Sequence, residues 1–282
     1  ARKNPVDALQ TLAKAAKATP AWGLVGYWGA AGLLLTLSFY SVVAGWSIAY
    51  LVKSVSGQFA TLSPAGVTQT WHHFLSSPWR LLTWHTAFIS MTTLVIMAGV
   101  QKGLERATKI MMPALYIILI VLVFFAAEQG SFKEAVRFLF AFDAHKITSS
   151  VVIAAMGHAF FTLALGAGAI LTYGAYIPKR TYLVRSVFIV AGLDVLVAIL
   201  SGLAIFPIVF AFHLPLASGP GLMYETLPIT FAHLQYGSFV GSLFFLLLLF
   251  AAWTSSINIA EPLIVICMNR LRYTRQRAAL LV

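Results

Sequence analysis

Six apolar runs of membrane-crossing length divide this chain and restrict its fold more than any other feature does. They cover roughly residues 22–52, 81–100, 110–127, 150–177, 186–214 and 238–268. About 20 consecutive apolar residues cross the hydrocarbon core of a bilayer as an α-helix. Backbone N–H and C=O groups find no water there, so such a segment must satisfy them within itself. The expected fold class is an all-α polytopic membrane protein, one membrane domain with six transmembrane helices. A composition that is 60% hydrophobic and 10% charged excludes an ordinary soluble domain. Several runs exceed the minimum length, which requires tilt or kinking. The run at 110–127 carries Pro113 in its first turn, where a missing N–H does little harm.

A net charge of +11 is an excess that nucleic acids attract, but its distribution points to a lipid bilayer and to no nucleic-acid partner. Arg2, Lys3, Lys14 and Lys17 precede the first run, and Lys102, Arg106 and Lys109 follow the second. Lys179, Arg180 and Arg185 follow the fourth; Arg270, Arg272, Arg275 and Arg277 follow the sixth. These clusters hold 14 of the 19 basic residues, against Lys53, Arg80, Lys133, Arg137 and Lys146 on the opposite side. Lysine and arginine collect in cytoplasmic loops, so both ends of the chain are expected in the cytoplasm. The single cysteine, Cys267, offers neither a disulfide framework nor a metal cluster. Residues 215–236 are dense in proline and glycine yet carry Leu222, Met223 and Leu227. They read as a structured outer loop that dips back toward the protein as a lid.

The fourth run interrupts itself. Gly166 and Gly168 bracket Ala167 at its middle, with Thr162 and Thr172 on either side. Glycine costs about 1 kcal/mol against alanine inside a helix, and loosened backbone in hydrocarbon leaves polar groups unsatisfied. Two readings fit. The freed groups face a protein-lined cavity and bind a ligand, as in transporters built on discontinuous helices, or the small residues let another helix pack closely.

Asp194 is the one acid near the middle of a run. An intramembrane carboxylate is costly unless paired, so its partner is a cation, or a proton neutralises it. Glu261, beside Pro262 near the end of the last run, reads as an acid that snorkels or pairs with an arginine. Thr254, Ser255 and Ser256 are three consecutive hydroxyls, and they cannot all face one neighbour because helical residues turn by about 100° each. Thr254 and Ser255 could join the carbonyl of Ala251 in an all-oxygen site of the kind hard cations prefer. Alternatively, each bonds back to its own helix. Together with Asp194 and the broken run, these hydroxyls suggest ion-coupled transport.

The string from Gly157 to Tyr176, Gly-His-Ala-Phe-Phe-Thr-Leu-Ala-Leu-Gly-Ala-Gly-Ala-Ile-Leu-Thr-Tyr-Gly-Ala-Tyr, resembles the unwound sixth helix of the neurotransmitter:sodium symporter family, in its bacterial branch. Phe39-Tyr40-Ser41-Val42-Val43-Ala44-Gly45-Trp46 resembles the family's third helix. Gly103-Leu104-Glu105-Arg106-Ala107 through Met112-Pro113 resembles the junction of helices four and five. Gly219-Pro220-Gly221-Leu222-Met223, followed by Thr226-Leu227-Pro228, resembles the external loop before helix eight, and Thr254-Ser255-Ser256 its sodium motif. The likeness covers essentially the whole chain, as helices three to eight. It implies part of a fold of two inverted five-helix repeats with one helix unwound at its centre. It also implies a sodium-coupled secondary transporter of the bacterial inner membrane, importing an amino acid or related small amine by alternating access.

Further roles follow from the resemblance alone. Tyr40 would hydrogen-bond the carboxylate of an amino-acid substrate, and Phe161 would line the substrate site with its backbone and ring. Thr36, Ala164, Ala167, Ser256 and Ile259 would surround the substrate side chain. Thr162 and Asp194 would contribute to a first Na⁺ site, and Ala251, Thr254 and Ser255 to a second. The first two helices and the last helix of the family have no counterpart in this sequence. The unwound first helix would supply the facing carbonyls, so the chain is expected to hold about half a site and to be a piece of a longer one. Its polar start, Ala-Arg-Lys-Asn-Pro, and its apolar tail, Ala-Ala-Leu-Leu-Val, fit that expectation.

Departures from the family pattern carry expectations of their own. Animal members bind chloride with serine, asparagine and glutamine where this chain has Ala198, Asp194 and His158. A fixed carboxylate supplies that negative charge, so transport independent of chloride is expected. Small Ala164 and Ala167 leave room for larger apolar or aromatic substrates. Asn269 stands near an acidic residue of the family's cytoplasmic gate. Two other classes were weighed against transport. A serine hydrolase using Ser255 or Ser256 with His158 lacks a Gly-x-Ser-x-Gly elbow; the other class is a channel, which would line its pore with repeated polar rings, or a purely structural membrane subunit.

Overall fold

The computed structural model describes residues 4–166, 168–177, 181–213 and 219–282. Ala167, Lys179, Arg180 and Pro215, together with Arg2 and Lys3, lie outside the described residues. Among the described residues every regular element is helical. Helix α1 (Pro5–Ala15) is capped by Asn4, whose side chain accepts the Asp7 N–H at 2.9 Å. There follow α2 (Gly23–Val55), α3 (Pro64–Leu75), α4 (Pro78–Met97), α5 (Arg106–Gln129) and α6 (Phe132–Phe140). Then come α7 (Ser149–Thr162), α8 (Ala169–Gly174), α9 (Leu183–Ala211), α10 (Leu227–His233), α11 (Gly237–Arg270) and α12 (Arg275–Leu281).

Four helices, counted with the tight turns that lead into them, are long and apolar enough to cross a membrane: Pro20–Val55, Gly103–Gln129, Leu183–Ala211 and Gly237–Arg270. The run at 81–100 is the 20-residue α4, and the run at 150–177 is split into α7 and α8. At 1.5 Å per residue α2 is about 50 Å long, well beyond the hydrocarbon thickness, so it must tilt.

Pro113 is not in a first turn. A π-turn at Val100–Glu105 runs straight into α5, so the proline lies inside a continuous helix. The polar residues before it read as loop, but the Lys109 ammonium pairs with the Glu105 carboxylate one turn back at 2.7 Å and supports helix there.

The core forms where α2 packs along α11. One cluster gathers Tyr50, Phe59, Trp71, Phe74, Tyr224, Phe231 and Phe245. Trp71 of α3 stacks on Tyr224 with ring centroids 5.6 Å apart, and the Tyr224 hydroxyl donates to the Val43 carbonyl at 3.2 Å. The loop expected to dip back thus does so: Tyr224, Leu227 and Phe231 are all buried. A second cluster, at the end that carries α12, joins Leu33 and Leu37 of α2, Ile96 of α4, Ile257 and Ile264 of α11 and Ala278 of α12.

Gly45 and Gly26 are among the glycines that allow close helix approach. A Cβ on Gly45 would sit 2.8 Å from the carbonyl carbon and oxygen of Trp84, so α4 crosses α2 there backbone to side-chain-free backbone. A Cβ on Gly26 would lie 2.8 Å from the Val6 Cα, which lets α1 lie on α2. Gly45→Val should therefore push α4 off α2 and cost about 1–3 kcal/mol through overpacking. Thermal unfolding of detergent-solubilised protein should show a lower midpoint for this variant, whereas valine at Gly32, with open space around it, should leave the midpoint nearly unchanged.

Candidate functional site

The site begins at the fault between α7 and α8. At the end of α7 the Leu165 N–H reaches the Phe160 carbonyl at 2.8 Å and the Ala164 N–H reaches the Phe161 carbonyl at 3.1 Å. This pair of bonds is a Schellman ending, which needs a left-handed residue and usually takes glycine. Here that residue is Ala164, at φ +51°. A non-glycine residue is uncommon in that region. Gly166 and Gly168 follow at φ +85° and +83°, and α8 then starts at Ala169. The run expected to be unwound at its centre is unwound.

Around this break the predicted residues differ in how far they are placed. Phe161 is 62% exposed, and the exposed Thr162 donates only to Ala159 of its own helix, at 3.4 Å. α7 buries none of its residues. Half-buried Asp194 in α9 makes no side-chain hydrogen bond or ion pair among the described residues. Ala167 falls outside those residues.

The other predicted residues lie together on α2 and α11. Tyr40 packs against the cluster of Ala44, Phe88, Leu249 and Ala252 and interacts with the Ser255 side chain. The Thr254 hydroxyl bonds back to its own helix, 3.0 Å from the carbonyls of both Phe250 and Ala251, as the second of the two readings of these hydroxyls expects. Ile259 packs against the cluster that includes Leu33 and Leu37 of α2. Thr36 donates to the Gly32 carbonyl at 2.8 Å, within its own helix. Ser256 is fully buried, and its hydroxyl has no partner among the described residues. No hydrogen bond or ion pair among the described residues joins Thr162 or Asp194 to the α11 hydroxyls.

Below the α11 hydroxyls lies a polar network that sequence reasoning saw only in outline. Glu261 is 0% exposed and forms a two-pronged ion pair with Arg275 of α12, one arm at 3.0 Å. The Arg275 Nε also donates to the Ile96 carbonyl of α4 at 2.8 Å, and the Tyr176 hydroxyl donates to Glu261 at 3.1 Å. The Glu261 carboxylate thus gathers α12 and the turn after α8, and Arg275 carries the network on to α4. Nearby, Arg270 pairs with Asp7 of α1 at 2.5 Å and lies over the Tyr27 ring. The available signal was an acid in an apolar run followed by a basic tail, and it did not say which arginine.

The chain is similar to known proteins over most of its length. The family model for the Sodium:neurotransmitter symporter family matches residues 69–282. The chain is 37% identical over 265 residues to the sodium-dependent transporter YhdH of Bacillus subtilis, covering 93% of this chain and 58% of that protein. It is 32% identical to a sodium-dependent transporter of Haemophilus influenzae, covering 99% of this chain and 63% of that one. Among solved structures, MhsT in complex with L-phenylalanine superposes with a TM-score of 0.89 at 37% identity. The match covers all of this chain and 63% of MhsT, so the chain spans about three fifths of the length of these relatives.

The Glu261 network yields a stability test. Glu261→Ala strands Arg275, whose side chain is only 19% exposed, and should cost about 3–5 kcal/mol as an uncompensated buried charge. Replacing both residues by methionine should recover most of that loss. Thermal midpoints of the two variants in detergent measure the difference.

Proposed function

The chain belongs to the sodium:neurotransmitter symporter family, and we propose that the protein it represents is a sodium-coupled secondary transporter that imports an amino acid by alternating access. The observation that carries this reading is the break between α7 and α8, where Ala164, Gly166 and Gly168 take left-handed backbone and α7 buries none of its residues. A half-buried carboxylate, Asp194, and backbone that leaves the helix after Thr162 are features that a sodium ion and an amino group seek. Similarity to a solved transporter that holds L-phenylalanine supports an amino-acid substrate.

On this reading Phe161 and Tyr40 hold the substrate backbone, while Thr36, Ala164, Ala167, Ser256 and Ile259 surround its side chain. Thr162 and Asp194 belong to one sodium site and Ala251, Thr254 and Ser255 to the other. The basic clusters put both chain ends, α1 and α12 in the cytoplasm, with the six runs crossing a bacterial inner membrane.

Three outcomes follow for the full-length protein in proteoliposomes. A sodium gradient should drive uptake, and Thr254→Val or Asp194→Ala should reduce it about tenfold or more, the loss of one ligand to a charged group. Replacing chloride by gluconate should leave uptake unchanged while Asp194 is intact, because that carboxylate supplies the negative charge. Leucine, phenylalanine and tryptophan should compete better than glycine and alanine, since Ala164 leaves space in the pocket. A chloride requirement with Asp194 present would contradict the second outcome, and a preference for glycine the third.

A further inference from the structure

At the ends of α5 and α9 far from the basic clusters lies α6, which neither the substrate reading nor the sodium reading uses. Gly130 and Ser131 turn the chain out of α5 and against α9. The Ser131 N–H donates to the Pro207 carbonyl at 2.9 Å, and a Cβ on Gly130 would lie 2.6 Å from the Pro207 carbonyl carbon. One side of α6 is then held on α9. Ala135 is fully buried, and the Leu139 methyls would lie 3.1 Å from a Cβ on Gly202. Phe138 sets its ring edge-on to Phe206 and Phe210, at 5.0 and 5.4 Å.

The other side of α6 is charged. Lys133, Glu134 and Arg137 are exposed, and Lys133 and Arg137 share a face because they stand four residues apart. With Gly130, Ser131 and Phe132, these three side chains line a recess of about 700 Å³. Glu134 and Arg137 have the three-residue spacing that favours an ion pair. Yet none of the three charges belongs to an ion pair among the described residues. Two cations and a carboxylate thus border one recess with their charges uncommitted.

The surroundings of the recess are apolar. α5 is one of the membrane-length helices, and it presents Ile117, Ile120, Val121 and Phe124 as an exposed strip that leads toward the recess. Phe140 and Phe142 are exposed beside the charges. Aromatic rings and cations together, at the end of a spanning helix, mark the level where hydrocarbon gives way to head groups. A lipid phosphate supplies the negative charge that Lys133 and Arg137 lack, and an amine-bearing head also supplies a cation to Glu134.

We propose that this recess binds one phospholipid with a zwitterionic, amine-bearing head, in the leaflet opposite the basic clusters. Its phosphate lies between Lys133 and Arg137, its ammonium on Glu134, and its acyl chains along the α5 strip.

The test is native mass spectrometry of the full-length protein in detergent, titrated with phosphatidylethanolamine or with phosphatidylglycerol, whose head has the phosphate but no ammonium. The unmodified protein should hold one phosphatidylethanolamine about tenfold more tightly than phosphatidylglycerol, the effect of one charge-assisted hydrogen bond. Lys133→Gln together with Arg137→Gln should weaken both lipids about tenfold or more. Glu134→Gln should weaken phosphatidylethanolamine alone and so remove the preference. Lys14→Gln together with Lys17→Gln takes two charges from the opposite end and should change neither affinity. Each altered side chain is exposed, so the fold should be undisturbed. A fluorophore at Phe140→Cys, in a protein otherwise free of cysteine, should be quenched by spin labels carried on lipid. Equal affinity of the unmodified protein for the two lipids overturns the site, as does unchanged affinity in the Lys133 and Arg137 double variant. An unquenched fluorophore means that further polypeptide covers this face, and it overturns the site as well. None of these readouts uses sodium or substrate, so the transport reading stands apart from the result.

Discussion

Hydrocarbon offers a peptide group no hydrogen-bond partner, and this constraint orders the whole structure. It makes the described elements helical, and it makes every departure from helix a demand for a donor or acceptor from elsewhere. Where α7 ends, the chain answers with its own Schellman bonds. Where Pro262 frees a carbonyl, a tyrosine from α8 answers. The buried carboxylate of Glu261 is answered by an arginine from α12 and a second tyrosine following α8. Contacts between distant elements therefore gather where a helix is irregular or carries a charge.

The packing is strongly one-sided. α2 and α11 run along each other through two apolar clusters, and the aromatic cluster around Tyr50 draws in α3 and the loop at Tyr224. α7 buries nothing, and the first half of α9 leaves Leu183, Val184, Val187 and Phe188 exposed. α8 belongs to the packed side: Ala169 and Thr172 are buried, and Tyr173 is bonded to α11. The break at 163–168 thus marks a boundary between a fixed half-helix and a bare one.

Much of this was legible in the sequence because it depends on local signals. Runs of apolar residues gave the helices, and the two glycines around Ala167 gave the break. The dipping loop showed in Leu222 and Leu227. What escaped depends on partners far along the chain. Nothing near Glu261 names Arg275, because the pairing is set by how α12 folds back on the cluster of Leu33 and Ile264. Asn258 drew no attention as a lone amide in an apolar run. Its bond with Tyr173 emerges only when Pro262, four residues on, is counted as a missing donor. Pro113 was misplaced for a related reason: a π-turn stabilised by Glu105 and Lys109 carried helix into residues whose polarity reads as loop.

The bare side of the molecule is not an ordinary lipid-facing surface. Exposed leucines, valines and phenylalanines would be at home against acyl chains, but Asp194 and the loosened backbone after Thr162 would not. A half-buried carboxylate without a partner, placed mid-helix, costs several kcal/mol in hydrocarbon. α7, for its part, leaves Phe161 exposed just before a turn that takes Ala164 into the left-handed region. Lipid cannot offset either feature, whereas further polypeptide carrying oxygen ligands, with a cation between, can. On the transport reading proposed above, Asp194 faces a cation rather than lipid, and it is this one carboxylate, not the apolar residues around it, that sets the face of α9 apart.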